Sequence, residues 1–271
     1  MIQLIALDLD GTLLNNDKQI SKENQLAIQY AQEKGVKVVI CTGRPYSTVK
    51  HLLDQLALNH SGQYVVLYNG AQIMELGHQQ AIFEASLGIQ DLNHWQAVCQ
   101  ALELPLDLVD SQWVYRPTTY PAQYPSLYVG KVSKAPTKSI DYADFSADHR
   151  FMKFVISADQ DHIERQWDLL PEQLKADYNL TWSYDFQLEI MKKGIDKGKA
   201  LQQLAQRLAI STDQMMGVGD QMNDLAMLQA VGVAVAMGNA SPDLKELADF
   251  VTLSNEDHGV AHAIYHYLKE V

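Results

Sequence analysis

Two carboxylates near the start of the chain are the first residues whose type and spacing could do chemistry. Asp8 and Asp10 follow an apolar run from Leu4 to Leu7, and Gly11 comes directly after them. The apolar run predicts a buried strand, and the glycine predicts that the strand ends there. Two acids in this place are unfavourable unless a cation or hydrogen-bond donors meet them. The pair is therefore suited to ligate a metal ion, to attack an electrophile or to transfer protons.

Further polar segments could act together with this acidic pair. They are Thr42-Gly43-Arg44, Lys197, and Asp220 with Asn223 and Asp224. A third carboxylate, from Asp220, would complete a set of hard oxygen ligands suited to Mg²⁺. Thr42 and the Gly43 amide are donors at a helix start, where a phosphate binds readily. With the charge of Lys197 and the amide of Asn223, these groups are what phosphoryl transfer requires.

The two N-terminal acids could divide the work of such a reaction. One carboxylate would attack phosphorus, while the other would protonate the leaving oxygen and later activate water. Their spacing alone does not say which acid does which. An ordinary surface turn rich in Asp and Gly is the simpler explanation of the pair, but the polar segments further along disfavour it.

Alternating strands and helices are predicted to position these residues. A helix after Ser21 separates the first strand from a second one, Val36–Ile40, which ends just before Thr42. A third strand, Val65–Tyr68, ends at Asn69-Gly70, and Met215–Gly219 ends at Asp220. Strand–helix–strand units of this length predict a parallel sheet. Because ligands bind at the carboxyl ends of such strands, the polar segments are expected to converge there.

The middle of the chain has a different pattern. From about residue 85 to 189 the segments suggest short paired strands, two helices and an irregular Pro-, Tyr- and Ser-rich stretch, and all four Trp residues lie here. We therefore predict an α/β protein with a Rossmann-like parallel-sheet core formed by residues 1–84 and 190–271. An α+β domain, residues 85–189, is predicted to be inserted into this core.

Composition narrows the classes of partner. With 21 Lys and Arg against 33 Asp and Glu, the net charge is −12, which is unfavourable for binding nucleic acid or an anionic membrane. The two cysteines, Cys41 and Cys99, form no metal-binding or disulfide pattern. No stretch approaches the roughly 18 apolar residues of a membrane helix, and no signal peptide is recognised. A cytoplasmic protein acting on a small molecule is expected, with its oligomeric state open.

Four motifs, in this order, resemble those of the haloacid dehalogenase (HAD) superfamily in its Cof-type branch. They are Asp8–Leu13 (DLDGTL), Thr42–Tyr46 (TGRPY), Gly194–Gly198 (GIDKG) and Gly219–Asp224 (GDQMND). Each motif is weak alone, but the ordered set is specific, and the inserted length fits the large cap domain of that branch. Gln221 departs from the family pattern, which more often has a small residue there.

The resemblance implies roles for individual residues. Asp8 would be the nucleophile and Asp10 the general acid and base. Mg²⁺ would be held by Asp8, the backbone carbonyl of Asp10, and Asp220. The phosphoryl group would be held by Thr42, Gly43, Lys197 and Asn223. Asp224 would orient Lys197 or the metal-bound waters, and Arg44 and Asn69 are candidate substrate contacts.

The function expected from this resemblance is a Mg²⁺-dependent phosphatase that acts on small phosphomonoesters, most readily sugar phosphates. Two alternatives stay open. A phosphoryl transferase such as a sugar phosphomutase would pass the phosphoryl group to a sugar hydroxyl instead of water. A non-catalytic sensor of phosphorylated ligands is disfavoured by the intact set of Asp8, Asp10, Lys197 and Asp220.

Overall fold

The structure is a computed structural model that describes residues 1–121 and 123–269. Its strands are β1 (Leu4–Leu7), β2 (Lys37–Cys41), β3 (Tyr64–Leu67), β4 (Gln72–Glu75), β5 (Gln80–Glu84), β6 (Asp107–Val109), β7 (Val114–Pro117), β8 (Thr137–Ile140), β9 (Lys153–Ser157), β10 (Tyr178–Tyr184), β11 (Gln187–Lys192), β12 (Met215–Gly219), β13 (Val233–Ala236) and β14 (Phe250–Val251). Its helices are α1 (Lys22–Glu33), α2 (Tyr46–Gln55), α3 (Ile89–Ala101), α4 (Gln160–Trp167), α5 (Glu172–Asp177), α6 (Lys197–Leu208), α7 (Leu225–Gln229), α8 (Pro242–Leu247) and α9 (Gly259–Leu268).

Local sequence signals explain where several helices begin. The Ser21 side chain accepts a hydrogen bond from the Asn24 amide and caps α1. Asp196 caps α6 in the same way by accepting from the Lys199 amide. Ser241 caps α8, and the proline that follows it occupies the first helical turn, where its missing N–H is not needed.

The first sheet has eight strands in the order β14-β13-β12-β1-β2-β3-β4-β5. The strands from β14 to β3 are parallel, and β4 and β5 add an antiparallel hairpin at one edge. All four residues of β1, which lies between β12 and β2, are buried, as is typical of a central strand in a parallel sheet that is covered on both faces. The chain runs outward from β1 through β2 to one edge and from β12 through β13 to the other. The gap between β1 and β12 is therefore a topological switch point, where ligands of open α/β sheets bind.

The second sheet has six strands in the order β10-β11-β9-β6-β7-β8, antiparallel except for the β7–β8 pair. A hydrophobic core that includes Trp95 of α3, Phe154 of β9 and Leu188 of β11 covers one face. Alternate residues point to the other face, where Lys153 and Glu189 form a buried ion pair of 2.7 Å. This part of the chain is thus an α+β unit with its own core.

The predicted α/β class with a parallel sheet is confirmed. By compactness the chain divides into a first unit, residues 1–44, 49–84 and 196 onward, and a second unit, residues 45–48 and 85–195. The sequence-based boundary between residues 189 and 190 falls inside β11, and the domain limits of 1–84, 85–189 and 190–271 stay a prediction. Across residues 1–121 and 123–269, no helix combines the length and apolar character needed to cross a membrane.

Candidate active site

The predicted site residues of the first unit lie at the carboxyl ends of neighbouring parallel strands. Asp8 follows β1, Thr42 follows β2, and Asp220 follows β12. Lys197 is the first residue of α6, and Asn69 lies in the short 3-10 turn after β3. The sheet order places β12, β1, β2 and β3 side by side. Segments that are far apart in sequence are thereby brought to one edge of the sheet.

The turn after β1 is shaped by Gly11 and Thr12. Gly11 has a φ of +80°, and a Cβ at this position would stand 2.2 Å from Asp220 Oδ2. The fully buried Thr12 hydroxyl donates to Asp220 Oδ1 over 2.9 Å. From the other side, Asn239 Nδ2 donates to the Gly11 carbonyl over 2.8 Å. Glycine is required here because the backbone must approach the carboxylate of Asp220 closely.

Lys197 lies at the centre of the site and has no exposed surface. Its Nζ donates to Asp8 Oδ1 and to Asp224 Oδ1, each over 2.6 Å. Burial alone would lower the pKa of Lys197, but the charges of Asp224 and Asp8 raise it above its ordinary value. Lys197 is therefore a fixed positive charge that joins the strand β1 to the turn after β12.

Asp224 is fully buried and held through both of its oxygens. One oxygen accepts from Lys197, and the other accepts from the backbone amides of Asp220 and Gln221 over 2.9 and 3.2 Å. Gly219 makes room for it, since a Cβ at Gly219 would stand 2.5 Å from the Asp224 Cβ. Asp224 thus shapes the turn that carries Asp220 and orients the Lys197 ammonium.

Three buried carboxylates, from Asp8, Asp220 and Asp224, each place an oxygen within 4.8 Å of the others. Burial, followed by the negative charge of Asp224, raises the pKa of Asp8 well above its ordinary value, although Lys197 opposes this. Burial and the charge of Asp224 likewise raise the pKa of Asp220 to about 7. One ammonium does not balance this concentration of acids, and oxygen donors alone suit a hard divalent cation such as Mg²⁺. The residues present therefore fit a Mg²⁺ site.

Asp10 is held by two cations. The Arg44 guanidinium forms a bidentate contact with its carboxylate, in which Nε donates to Oδ2 over 2.7 Å and Nη2 donates to Oδ1 over 2.6 Å. Lys18 Nζ also donates to Oδ1, over 2.9 Å. Burial would raise the pKa of Asp10, but the hydrogen bonds and charges of Arg44 and Lys18 outweigh it and lower the pKa below its ordinary value. The observed arrangement holds Asp10 as a carboxylate.

The loop after β2 contributes uncharged donors. Thr42 is buried, and its hydroxyl accepts from the Arg44 amide over 3.2 Å. Asn69 adopts a left-handed conformation, with φ 53° and ψ 36°, and its side chain lies against Gly43, where an added Cβ would be 3.1 Å away. Asn223 Nδ2 donates to Asn69 Oδ1 over 3.4 Å. This contact links the ends of β3 and β12.

Contacts join every residue singled out from the sequence to at least one other member of the set. Asp8, Lys197, Asp220 and Asp224 form one cluster, Asp10 pairs with Arg44, and the remaining residues meet around Asn69. Sequence reasoning missed the contributions of Thr12, Lys18 and Asn239. Thr12 belongs to the first motif and could have been found from its place beside the acids. Lys18 is an exposed loop lysine, and nothing in the sequence distinguishes it.

Comparison with known proteins gives a consistent family. Residues 5–264 match the family model described as haloacid dehalogenase-like hydrolase. YxeH of Bacillus subtilis is 36% identical over 265 residues, 98% of each chain. The 5-amino-6-(5-phospho-D-ribitylamino)uracil phosphatase YcsE of the same organism is 32% identical, over 98% of this chain and 96% of its own. A solved structure of a haloacid dehalogenase-like hydrolase from B. subtilis is 30% identical, with a TM-score of 0.84 over 98% of this chain and 100% of the other. The chain therefore belongs to the haloacid dehalogenase-like hydrolases, in the Cof-type branch of HAD phosphatases.

Proposed function

We propose that this protein is a Mg²⁺-dependent phosphatase that hydrolyses small phosphomonoesters, with sugar phosphates as the first class, through an aspartyl phosphate on Asp8. The observation that carries this proposal is the buried cluster in which Lys197 bridges Asp8 and Asp224, with Asp220 alongside. A cluster with three acids and one ammonium is expensive to bury unless it serves a charged ligand.

The proposed Mg²⁺ ligands are Asp8, the backbone carbonyl of Asp10, and Asp220. Both oxygens of Asp224 already accept hydrogen bonds, which supports a positioning role for this residue rather than direct coordination. When bound, Mg²⁺ supplies positive charge to the phosphoryl oxygens. Thr12 and the Gly11 turn would hold the Asp220 carboxylate in place for this task, because they contact it from two sides.

In the first chemical step, a carboxylate oxygen of Asp8 attacks phosphorus as the phosphorus–oxygen bond of the ester breaks. Within residues 1–121 and 123–269, no hydrogen bond reaches Asp8 Oδ2, while Oδ1 accepts from Lys197. Lys197 would therefore orient the nucleophile and also offset the charge of the phosphoryl group. Asp10, in its protonated form, gives its proton to the leaving oxygen, so that the alcohol departs neutral.

In the second step, water attacks the phosphorus of the aspartyl phosphate. Asp10, now a carboxylate, accepts a proton from this water, and the Asp8 carboxylate is regenerated as inorganic phosphate forms. Thr42, the Gly43 amide, Lys197 and Asn223 would hold the phosphoryl group through both steps. Their uncharged donors and single cation match the oxygens on which negative charge is spread in the transition state.

The proposed substrate class rests on two supports. The resemblance to the Cof-type branch favours phosphorylated sugars and related metabolites. The relative YcsE is named for a substrate that carries a phosphoryl group on a ribityl chain, which is a phosphomonoester of a polyol. Arg44 and Asn69 are proposed as contacts to such a substrate, because both lie beside the phosphate-binding loop.

The test is release of inorganic phosphate from p-nitrophenyl phosphate and from a panel of sugar phosphates, with Mg²⁺ and with EDTA. We expect EDTA to abolish release, and Asp8→Asn to lower kcat by roughly a thousandfold or more, because the amide is a poor nucleophile. Asp17→Asn, which changes an exposed aspartate in the same way, should leave kcat unchanged. Absence of Mg²⁺-dependent release on the whole panel would refute the proposal. Transfer to an added sugar in preference to water would identify a phosphoryl transferase instead.

A further inference from the structure

The Asp10 carboxylate has both of its oxygens engaged. The Arg44 guanidinium forms two parallel hydrogen bonds to it, of 2.7 and 2.6 Å, and Lys18 adds a third of 2.9 Å. A forked contact of this kind is among the strongest that a carboxylate makes. Asp10 is only 27% exposed and Arg44 only 28%, so water weakens the pair less than it would on an open surface.

This geometry conflicts with the role proposed for Asp10. A general acid must present a proton to the leaving oxygen, within hydrogen-bond reach of it. A carboxyl group whose two oxygens both accept from one guanidinium is turned toward that guanidinium and not toward a leaving oxygen. The pairing seen here therefore describes a resting arrangement, and the Arg44 side chain has to leave Asp10 before the ester bond breaks.

The backbone of Arg44 is anchored, so the change can be confined to its side chain. The Arg44 amide donates to the Thr42 hydroxyl over 3.2 Å, and the Arg44 carbonyl accepts from the Tyr68 amide over 3.4 Å. The first contact lies within the loop whose donors are proposed to hold the phosphoryl group, and the second joins that loop to the turn after β3. The guanidinium fork matches the oxygens of a phosphate as well as those of a carboxylate.

We propose that Arg44 is a positioning residue that exchanges partners. Without substrate it holds the Asp10 carboxylate, and the arriving phosphoryl group draws its guanidinium away, which frees Asp10 to face the leaving oxygen. This inference rests on the proposed phosphatase function. It adds that substrate binding itself releases the Asp10 carboxyl group from Arg44, so that Asp10 can act as the general acid. Lys18 steadies the resting arrangement, but at 54% exposure and with one hydrogen bond it is the weaker partner.

An exchange of this kind has a thermodynamic signature. Phosphate and Asp10 compete for one guanidinium, so the contribution of Arg44 to phosphate binding is reduced by the pairing that must be broken. Removing the Asp10 charge should abolish this competition. Arg44 should then contribute more to phosphate binding in an Asp10→Asn background than in the wild type.

The first experiment measures binding of inorganic phosphate in the presence of Mg²⁺ by titration calorimetry for wild type, R44M, D10N and the double variant. We expect R44M to weaken phosphate binding about tenfold in the wild type. In the D10N background we expect the same substitution to weaken phosphate binding about fiftyfold, a fivefold larger effect. The same cycle with K22M in place of R44M, which changes an exposed lysine that has no contact with Asp10, is the matched control and should be additive. If R44M leaves phosphate affinity unchanged in the D10N background, Arg44 does not bind phosphate and the proposal is wrong.

The second experiment is a pair of crystal structures, of the protein with Mg²⁺ alone and with Mg²⁺ and inorganic phosphate. The expected change is a guanidinium on the phosphate oxygens and an Asp10 carboxyl released from it. An Arg44–Asp10 fork that persists with phosphate bound would overturn the exchange. Neither experiment needs turnover. A protein that shows the exchange but hydrolyses no ester would contradict the proposed function while leaving this inference intact.

Discussion

At position 197 a lysine with no exposed surface separates two buried carboxylates, of Asp8 and Asp224. Replacing it with methionine, which fills a similar volume, would leave these acids facing each other without a cation. We expect Lys197→Met to lose phosphatase activity and to lower the free energy of unfolding by about 3–5 kcal/mol. Urea denaturation in EDTA measures the second effect. Lys199→Met, which changes an exposed lysine on the same helix, should do neither.

Asp220 gives the metal-free protein an unusual dependence on pH. Its pKa is raised from 3.8 to about 7 in the folded state, so the folded chain keeps a proton that the unfolded chain has lost. The contribution of Asp220 to the free energy of unfolding should therefore be greatest below about pH 4. It should fall by about a few kcal/mol as the pH rises to about 7. Asp8, whose pKa is also raised, acts with the same sign. The raised pKa of Lys197 matters only above its ordinary value of 10.5.

Denaturation of the EDTA-treated protein between pH 4 and 8 checks this expectation. Asp220→Asn should flatten the profile, whereas Asp213→Asn, at an exposed position, should not. Added Mg²⁺ should stabilise the wild type more at pH 8 than at pH 5, because protons and the cation compete for the same oxygens. A profile that rises steadily from pH 4 to 7 in EDTA would show that other carboxylates dominate.

At the scale of elements, the turn after β1 can be tested with two glycines that share a conformation. Gly11 and Gly35 have φ values of +80° and +79°, so alanine at either position carries a strain of about 1–2 kcal/mol. The added Cβ of Gly11→Ala would also collide with Asp220 Oδ2, whereas Gly35 has no atom within 4 Å of that point. We expect Gly11→Ala to weaken Mg²⁺ binding by roughly 10–100-fold. Gly35→Ala should leave Mg²⁺ affinity unchanged, and equal losses in both variants would exclude the collision as the cause.

Many elements of the first unit were predictable, because their signals are local. The apolar runs of β1 and β2, the Ser21 cap and the Ser241-Pro242 start of α8 each depend on neighbouring residues only. Element ends were less predictable. The expected strand Val36–Ile40 is observed as Lys37–Cys41, and the expected strand Val65–Tyr68 is observed as Tyr64–Leu67. Ends are decided by tertiary contacts that compete with local preference.

The sequence predicts that the site residues lie close together, because they follow the carboxyl ends of parallel strands. It does not predict the individual contacts between them. Asn69-Gly70 signals a turn, but nothing in Tyr-Asn-Gly signals that Tyr68 is also left-handed or that the Asn69 side chain lies toward Gly43 and Asn223. Lys197 by itself resembles a solvated lysine at a helix start, and its complete burial depends on acids that lie 189 and 27 residues away. The fork between Arg44 and Asp10 likewise depends on side-chain directions that spacing cannot supply.

At the scale of the whole molecule, each of the two compact units contains a buried lysine that is paired with carboxylates. The lysine is Lys197 in the first unit and Lys153 in the second. Lys153→Met would remove the cation that faces the buried Glu189 in the second unit, at an expected loss of about 3–5 kcal/mol. We expect calorimetry to resolve two unfolding transitions, with Lys153→Met lowering one and Gly11→Ala lowering the other. Lys134→Met, at an exposed position of the second unit, is the control. A single transition that both variants shift together would show that the units unfold as one.

The position of β1 between β2 and β12 also has a consequence for synthesis on the ribosome. The first of these neighbours is made soon after β1, but 208 residues separate Thr12 from Asp220, which follows β12. At roughly 5–20 residues per second, translation takes about 10–40 s to cover that distance. Throughout this interval the apolar strand Leu4–Leu7 has one edge without its native partner, a state that invites pairing with the wrong strand or with another nascent chain. Strand β12, which carries Asp220 at its end, is thus also the strand that encloses the free edge of the first one.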